Sequence, residues 1–532
     1  MNRTRKTLIA AIIYVSLICG YGSTAQAEYF NLAWGIQYGT ADDEDAVYED
    51  VRIDSVGNIY TMWGSREGSN TTTNMTKLTY TGDVLWTKSE QRNYIETPCR
   101  LKIDSQNNYC IFGYTYVGGL VRKYNSDGQM LWARNPGSGT RNGTFDNQGN
   151  VYVIGDGVEV IKYDPDGNLL WQKYYSIPSY SAMGVEIEIA PTGEIYLGLG
   201  LSGSDNPRAI LKTDQNGNLS WTRVFGDDGG LHFSGFDSQG RIVFQVETRL
   251  SLGGPNLGES DIALGRCDTN GNIEWLGQYG TSAGDYFYTS LIGPADCIII
   301  AGFTQGSFFA ENEGGSDAYI MQIASDGNSM GGSQFGTDGS DLFFGLCSNG
   351  NGYYISGSTY DSLWGTNFGG LDIILGKLNL EPTNDDKTDA IPVEVNDIIN
   401  GWTVGATGTD ITRNGYNDSN DVWYYFEPVT KGKYTITLYN SSFDTTLAVF
   451  DENDREIVFN DDYFGEKSVV ILKAKAGRRY YIRVAGSDQE TGDFTMSVQE
   501  GAIQAIQGDL NYDGNVNLED FAAFAQNWMM GG

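Results

Sequence analysis

From residue 31 to residue 380 one unit returns again and again, and a repeat of this size must stack or ring its copies, because a single copy cannot bury its own apolar face. The unit opens with an apolar strand, an acidic turn and a second strand. One copy reads Ile53-Asp54-Ser55-Val56-Gly57-Asn58-Ile59-Tyr60 and another Phe145-Asp146-Asn147-Gln148-Gly149-Asn150-Val151-Tyr152. It closes with a strand, an Asx-Gly turn and a strand carrying tryptophan, as in Lys162-Tyr163-Asp164-Pro165-Asp166-Gly167-Asn168-Leu169-Leu170-Trp171. Further copies end at Trp86, Trp132, Trp221 and Trp275. Asp-Gly and Asn-Gly supply the positive φ that tight hairpin turns require. Two hairpins per unit make a four-stranded sheet, and a period of about 40–55 residues is that of a β-propeller blade. The last unit runs through Asp372-Ile373-Ile374-Leu375-Gly376-Lys377-Leu378 and stops before its tryptophan strand. The missing strand stands at the other end, where Trp34-Gly35-Ile36-Gln37-Tyr38-Gly39-Thr40 matches Trp275-Leu276-Gly277-Gln278-Tyr279-Gly280-Thr281. The sequence therefore predicts an all-β chain in which residues 28–380 form a monomeric, seven-bladed β-propeller. Its N-terminal strand completes the last blade and leaves no open edge.

With 70 glycines, 11 prolines and 13% aromatic residues, the composition suits many short strands joined by tight turns. The units resemble the bacterial SBBP-type β-propeller repeats and, more distantly, quinoprotein propeller repeats. That resemblance implies the fold and is nearly silent on function. The tryptophans fall at one place per unit, as packing between blades requires, although sugar-stacking platforms use the same residue type. Turns such as Asp164-Pro165-Asp166-Gly167 carry the oxygens of a calcium site and equally the residues a hairpin turn needs without any ion.

Residues 381–390 lack the repeat and read as a linker. Beyond them, alternating runs such as Trp423-Tyr424-Tyr425-Phe426, Tyr434-Thr435-Ile436-Thr437-Leu438 and Tyr480-Tyr481-Ile482-Arg483-Val484 predict a small β-sandwich over 391–500. With Asp421-Val422-Trp423-Tyr424, Phe443-Asp444-Thr445, Asn460-Asp461-Asp462, Ala476-Gly477 and Gly492-Asp493-Phe494, this stretch resembles the bacterial pre-peptidase C-terminal (PPC) domain. That family is an accessory module of secreted enzymes with no chemistry of its own, so the resemblance implies export and adhesion. Asp444, Asp461 and Asp462 are either calcium ligands or turn-capping acids.

Residues 501–532 hold the most local chemistry. In Gly508-Asp509-Leu510-Asn511-Tyr512-Asp513-Gly514-Asn515-Val516-Asn517-Leu518-Glu519-Asp520, oxygen side chains fall at loop positions 1, 3, 5, 9 and 12: Asp509, Asn511, Asp513, Asn517 and Asp520. Gly514 sits where the loop must bend sharply, and Asn515 offers its backbone carbonyl. This spacing wraps a hard cation that wants six to eight oxygens, so the expected cofactor is Ca2+. Phe521, Phe524, Ala525 and Trp528 then lie on one face of a helix. The segment resembles a dockerin repeat, the EF-hand-like module that joins secreted polysaccharide-degrading proteins to cohesins, and so implies a cohesin-like surface protein as partner. Dockerins usually carry two such repeats, and this sequence holds one.

Arg3, Arg5 and Lys6, the apolar run Leu8 to Cys19 and Ala25-Gln26-Ala27 have the form of a secretory signal peptide over 1–27, cleaved near Ala27-Glu28. The expected location is extracellular or cell-surface, with no integral membrane segment in the mature chain. A net charge of −34 repels nucleic acid and anionic lipid. Cys99 and Cys110 flank the turn Ser105-Gln106-Asn107-Asn108, a placement open to a disulfide across adjacent strands or to buried thiols. Histidine-based triads and multi-histidine metal centres are excluded by a single histidine, His232, read as a structural strand residue. No G-x-S-x-G, H-E-x-x-H or phosphate-binding loop occurs. Two function classes remain. The first is a non-catalytic, calcium-binding scaffold that recognises polysaccharide, matrix or a protein partner. The alternative is a carbohydrate-active enzyme, a glycoside hydrolase or lyase, with carboxylates in the propeller funnel.

Overall fold

The structure, a computed structural model, describes residues 30–501 apart from 39–49, 68–69, 92–95, 116, 138, 204–206, 226–228, 351, 381, 383, 404–405, 407, 409–417, 419, 440, 442 and 462–467. The signal-peptide reading and the calcium loop, with Asp509, Asn511, Asp513, Asn515, Asn517 and Asp520, lie outside the described residues. Within them the chain is all-β, with short 3-10 turns and no α-helix.

Among the described residues, seven antiparallel four-stranded sheets precede residue 381, and we number them 1 to 7: 50–91, 96–134, 140–174, 181–225, 231–279, 285–335 and 341–380. Each runs strand by strand in chain order. Sheet 7 takes its fourth strand from Phe30–Tyr38, which pairs antiparallel with Asp372–Leu380 from Phe30 opposite Leu380 to Tyr38 opposite Ile373. The seven first strands adjoin one another in cyclic order, and that of sheet 7 (Asp341–Ser348) returns to that of sheet 1 (Asp50–Ile53). This is a β-propeller arrangement. Its apolar cores lie between neighbouring sheets; Val243, Ile262 and Leu264 of sheet 5, for example, pack on Phe287, Ile300 and Tyr319 of sheet 6.

The burial of each strand follows from its place. Second and third strands are covered on both faces, so Ile298–Thr304 and Asp317–Ile323 read as nearly continuous apolar runs. Fourth strands such as Leu169–Tyr174 are largely exposed, and their tryptophans turn toward the next sheet. There each indole meets a turn glycine: Trp34 at Gly82, Trp132 at Gly167, Trp221 at Gly271 and Trp275 at Gly327. Those glycines have φ of 90°, 80°, 83° and 89°, so both the backbone and the indole exclude a side chain. The repeated tryptophans thus pack one sheet on the next. The acidic turns supply their own donors. Asp164 Oδ1 accepts Asp166 N at 3.0 Å and Asn168 N at 2.7 Å, while Oδ2 accepts Asn168 Nδ2 at 2.9 Å. Asp54, Asp104, Asp146, Asp214 and Asp268 repeat the same set with an Asn four residues on.

Sheets 5, 6 and 7 share a further device. Their second and third strands are joined by loops of equal length (249–260, 305–316 and 360–371), each held by a glutamine of the fourth strand. Gln278 Oε1 accepts Leu252 N and Gly253 N, and its Nε2 donates to Leu250 O and Asp261 Oδ2. Gln334 does the same with Phe308 N, Phe309 N, Gly306 O and Asp317 Oδ2. In sheet 7 the glutamine is Gln37, bonded to Trp364 N, Asp361 O and Asp372 Oδ2, so the borrowed strand fills the same role as the native ones.

From Ile391 on, a five-stranded sheet and a four-stranded sheet face each other across one core. Tyr424, Leu447, Ile482 and Val484 come from the first, and Ile436, Leu472, Met496 and Val498 from the second, as in a β-sandwich. Arg483 is 1% exposed and is bound by Asp418 at 3.1 Å and Asp421 at 2.5 Å. Burial pushes the Asp421 carboxyl up to about 6 against the pull of Arg483.

One expectation is corrected by strand register. Cys110 stands opposite Lys102, whereas Cys99 occupies the bulge between Pro98 and Arg100, opposite Gly113 and Phe112. The two cysteines are three residues out of register and are not disulfide-bonded. Burial raises the thiol of Cys110 well above its ordinary value, as it does the thiols of Cys267 and Cys347.

Candidate central cavity

The first strands surround a cavity of about 330 Å3, and every one of the seven sheets contributes to its wall. Polar residues recur at alternate positions of these strands: Arg100 and Lys102, Asn142 and Thr144, Glu186 and Glu188, His232 and Ser234, Tyr288 and Ser290. A strand sends successive side chains to opposite faces, so one polar set looks inward while the alternate residues pack into the sheet. Of each pair all but Thr144 line the cavity, and Arg52 joins them from sheet 1.

Charge is divided across this space. Arg52, Arg100 and Lys102 stand on sheets 1 and 2, and Glu186 and Glu188 on sheet 4. Lys102 Nζ reaches Glu188 Oε1 at 2.8 Å, and Arg100 approaches Glu186 Oε1 at 4.0 Å. Arg52 is steadied by Asp50 at 2.7 Å. Glu186 accepts from Asn142 Nδ2 at 2.6 Å and pairs with His232 Nδ1 at 2.8 Å. Burial raises the carboxyl of Glu186, but the hydrogen bond and charge of His232, with Arg100 and Lys102 behind them, outweigh it and hold the group below the usual carboxylate range. Glu247 is nearby: its Oε2 and His232 Nε2 both border the space beside Gly230. Burial raises Glu247, with the charge of His232 opposing. His232 also meets the edge of Phe287, ring centroids 5.4 Å apart. Gln245 Nε2 donates to Ser290 Oγ at 2.6 Å, which donates to Ser234 Oγ at 2.8 Å.

His232, expected as a structural strand residue, stands in the cavity wall with its Nδ1 on Glu186. The other lining residues are spread over seven repeats, so no single short window displays them together. The signal was present as polar residues at period two in strands whose neighbours are almost wholly apolar. Among the described residues no group of three or more histidine, cysteine or acidic side chains is disposed to hold a metal ion. No helix of the described residues is long and apolar enough to cross a membrane.

No family model matches the sequence, and no curated protein matches it. Among solved structures, the chain is similar to virginiamycin B lyase from Staphylococcus aureus, with 12% identity over 66% of this chain and 99% of the other and a TM-score of 0.41. BamB from Moraxella catarrhalis matches at 14% identity over 65% and 99%, TM-score 0.35. The pre-peptidase C-terminal domain of a Bacillus anthracis collagenase matches at 20% identity over 21% and 94%, TM-score 0.17. Strand pairing itself carries the propeller and sandwich arrangements.

Proposed function

We propose that this is an exported binding protein whose recognition site is the central cavity and whose ligand is an acidic, hydroxyl-rich molecule, a uronate-bearing polysaccharide end or fragment. The observation that carries this reading is the convergence of Arg52, Arg100 and Lys102 on one wall of a polar cavity in a chain of net charge −34. Guanidinium groups take carboxylates in paired, directional hydrogen bonds. Ser234, Ser290 and Asn142 offer partners to hydroxyls, and the Tyr288 ring an apolar face. On this reading the seven sheets are the blades of a closed ring of SBBP type, the sandwich is a PPC-like attachment module, and the loop from Asp509 to Asp520 binds Ca2+ and anchors the protein to a surface partner.

One observation favours a second reading, a lyase. His232 is oriented by Glu186, and a histidine so held beside cations that neutralise a uronate carboxylate is placed to take the proton alpha to it. One experiment separates the two. Mature protein is incubated with acidic and neutral polysaccharides, with and without calcium, and the supernatant is assayed for lost protein and for unsaturated sugar ends. Depletion by acidic polymers only, weakened at least tenfold in Arg100→Ala/Lys102→Ala and without new ends, is the outcome expected of a binder. Unsaturated ends that vanish in His232→Gln while binding persists would install the lyase instead. Equal binding of neutral polymers would remove the cavity from the account.

A further inference from the structure

Buried carboxylates in much of this chain meet a cation: Asp104 meets Lys123 at 2.9 Å, Asp237 meets Arg241 at 2.6 Å and Asp421 meets Arg483 at 2.5 Å. At the junctions of sheets 5, 6 and 7 a different arrangement holds. Asp261, Asp285, Asp317 and Asp341 are at most 1% exposed, and among the described residues none has a lysine, arginine or histidine within ion-pair distance.

These four form one constellation twice. Asp261 opens the third strand of sheet 5 and Asp285 the first strand of sheet 6; Asp317 and Asp341 hold the same places one sheet further on. Asp261 Oδ2 accepts Leu257 N at 2.7 Å and Gln278 Nε2 at 2.6 Å. Asp285 Oδ2 accepts Thr281 N at 2.5 Å, and Oδ1 accepts Thr304 Oγ1 at 2.5 Å. The second copy repeats this, with Glu313 N and Gln334 Nε2 on Asp317 and Thr337 N and Thr359 Oγ1 on Asp341. Every donor is neutral. One oxygen in each copy, Asp261 Oδ1 and Asp317 Oδ1, is buried with no hydrogen-bond partner among the described residues. Each faces a glycine. A Cβ on Gly280 would lie 2.5 Å from Asp261 Oδ1 and 3.0 Å from Asp285 Oδ2, and one on Gly336 2.5 Å from Asp317 Oδ1. The absent side chain leaves a cradle with the orphan oxygen on its wall.

Two carboxylates buried side by side with neutral donors alone cannot both stay charged without a positive partner. We propose that each junction, Asp261 with Asp285 and Asp317 with Asp341, binds one divalent cation, with Ca2+ favoured by an all-oxygen donor set. A hard cation takes its oxygens at 2.3–2.6 Å and neutralises both carboxylates at once. The competing occupant is a proton shared by the pair. Burial, and then the neighbouring aspartate, raise the carboxyls of Asp285 and Asp341, as either occupant requires. These sites are separate from the loop at Asp509 and owe nothing to the ligand proposed for the central cavity.

The test uses the full mature chain carrying Asp509→Ala/Asp513→Ala, so that the C-terminal loop is silent. After chelation, calcium is titrated calorimetrically at neutral pH. Asp285→Asn should lose one equivalent relative to this parent and Asp285→Asn/Asp341→Asn two. Calcium should raise the unfolding temperature of the parent and leave that of the double variant unmoved. Should the asparagine variants fail to fold, tyrosine-sensitised terbium emission from the parent, competed away by calcium, reads the sites directly. No calcium uptake and no terbium emission in the parent, or equal uptake in the double variant, would overturn the proposal and leave the shared proton as occupant.

Discussion

Sheets 1 to 4 and sheets 5 to 7 are built on one repeat and differ in how the connection between second and third strands is held and whether the aspartate that holds it meets a cation. In the earlier sheets the second and third strands are joined by short links, and Asp54 and Asp104 are buried with a cation, Lys77 and Lys123. In the later sheets the same connection is a long loop, its backbone N–H groups tied to a glutamine and through it to an aspartate without a cation. Backbone path is therefore set by strand pairing and the turn glycines, which both groups share. Electrostatic design is free to vary from sheet to sheet.

The comparison breaks most visibly at Lys123. Lys123→Ala leaves Asp104 buried and unpaired, and should cost about 3–5 kcal/mol in urea-induced unfolding. The same change paired with Asp104→Asn should recover a large part of it. If Lys123→Ala were harmless, the earlier sheets would not depend on their cations. Next in size is Gln334→Ala, which removes three hydrogen bonds from backbone N–H groups, one to a backbone carbonyl and one to a buried carboxylate. A loss of about 2–3 kcal/mol, with faster hydrogen exchange confined to 305–316, would mark the glutamine as the clamp. Gly167→Ala places a side chain at φ of 80° and against Trp132, and should cost about 1–3 kcal/mol; Gly271→Ala should match it, because this device is common to both groups. The smallest expected effect is a pH slope measured in chelator. Asp285 and Asp341 bind their proton more tightly folded than unfolded, so their contribution grows as pH falls through their raised values and is complete below the unfolded carboxylate value of about 4. Asp146, lowered because its hydrogen bonds from Asn150 and Lys162 outweigh burial, does the reverse and loses its contribution as pH falls through its own value. Unfolding temperatures of Asp285→Asn/Asp341→Asn and of Asp146→Asn against pH should thus bend in opposite directions relative to wild type.

The parts of this fold that a sequence displays are those written locally. The hairpin turns, the outer tryptophans and the match of Trp34-Gly35-Ile36-Gln37 to the later units all lie within short windows, and they lead to an all-β propeller. The central cavity is written one pair of residues per repeat, tens of residues apart, and only ring closure assembles it. The clamp has a sequence signature of its own: Ser251, Asn256 and Asp261 recur as Ser307, Asn312 and Asp317 and as Ser362, Asn367 and Asp372, at fixed spacing. The cysteines stay apart because the turn at 104–108 sets Ile103 opposite Tyr109, which puts Cys110 opposite Lys102 and Cys99 three residues further along the strand, with or without its bulge.

The pairing of Phe30–Tyr38 with Asp372–Leu380 also sets an order of events in time. A chain delivered N-terminus first holds its earliest strand in hand, unpaired, while six complete sheets emerge behind it. Only when Leu380 arrives can the two ends meet, across a loop whose closure costs about 5 kcal/mol of chain entropy. That cost falls on one step, so ring closure should be the slow phase of refolding. Until it occurs both Asp372–Leu380 and the strand that seals it are bare edges, open to another copy of the same chain.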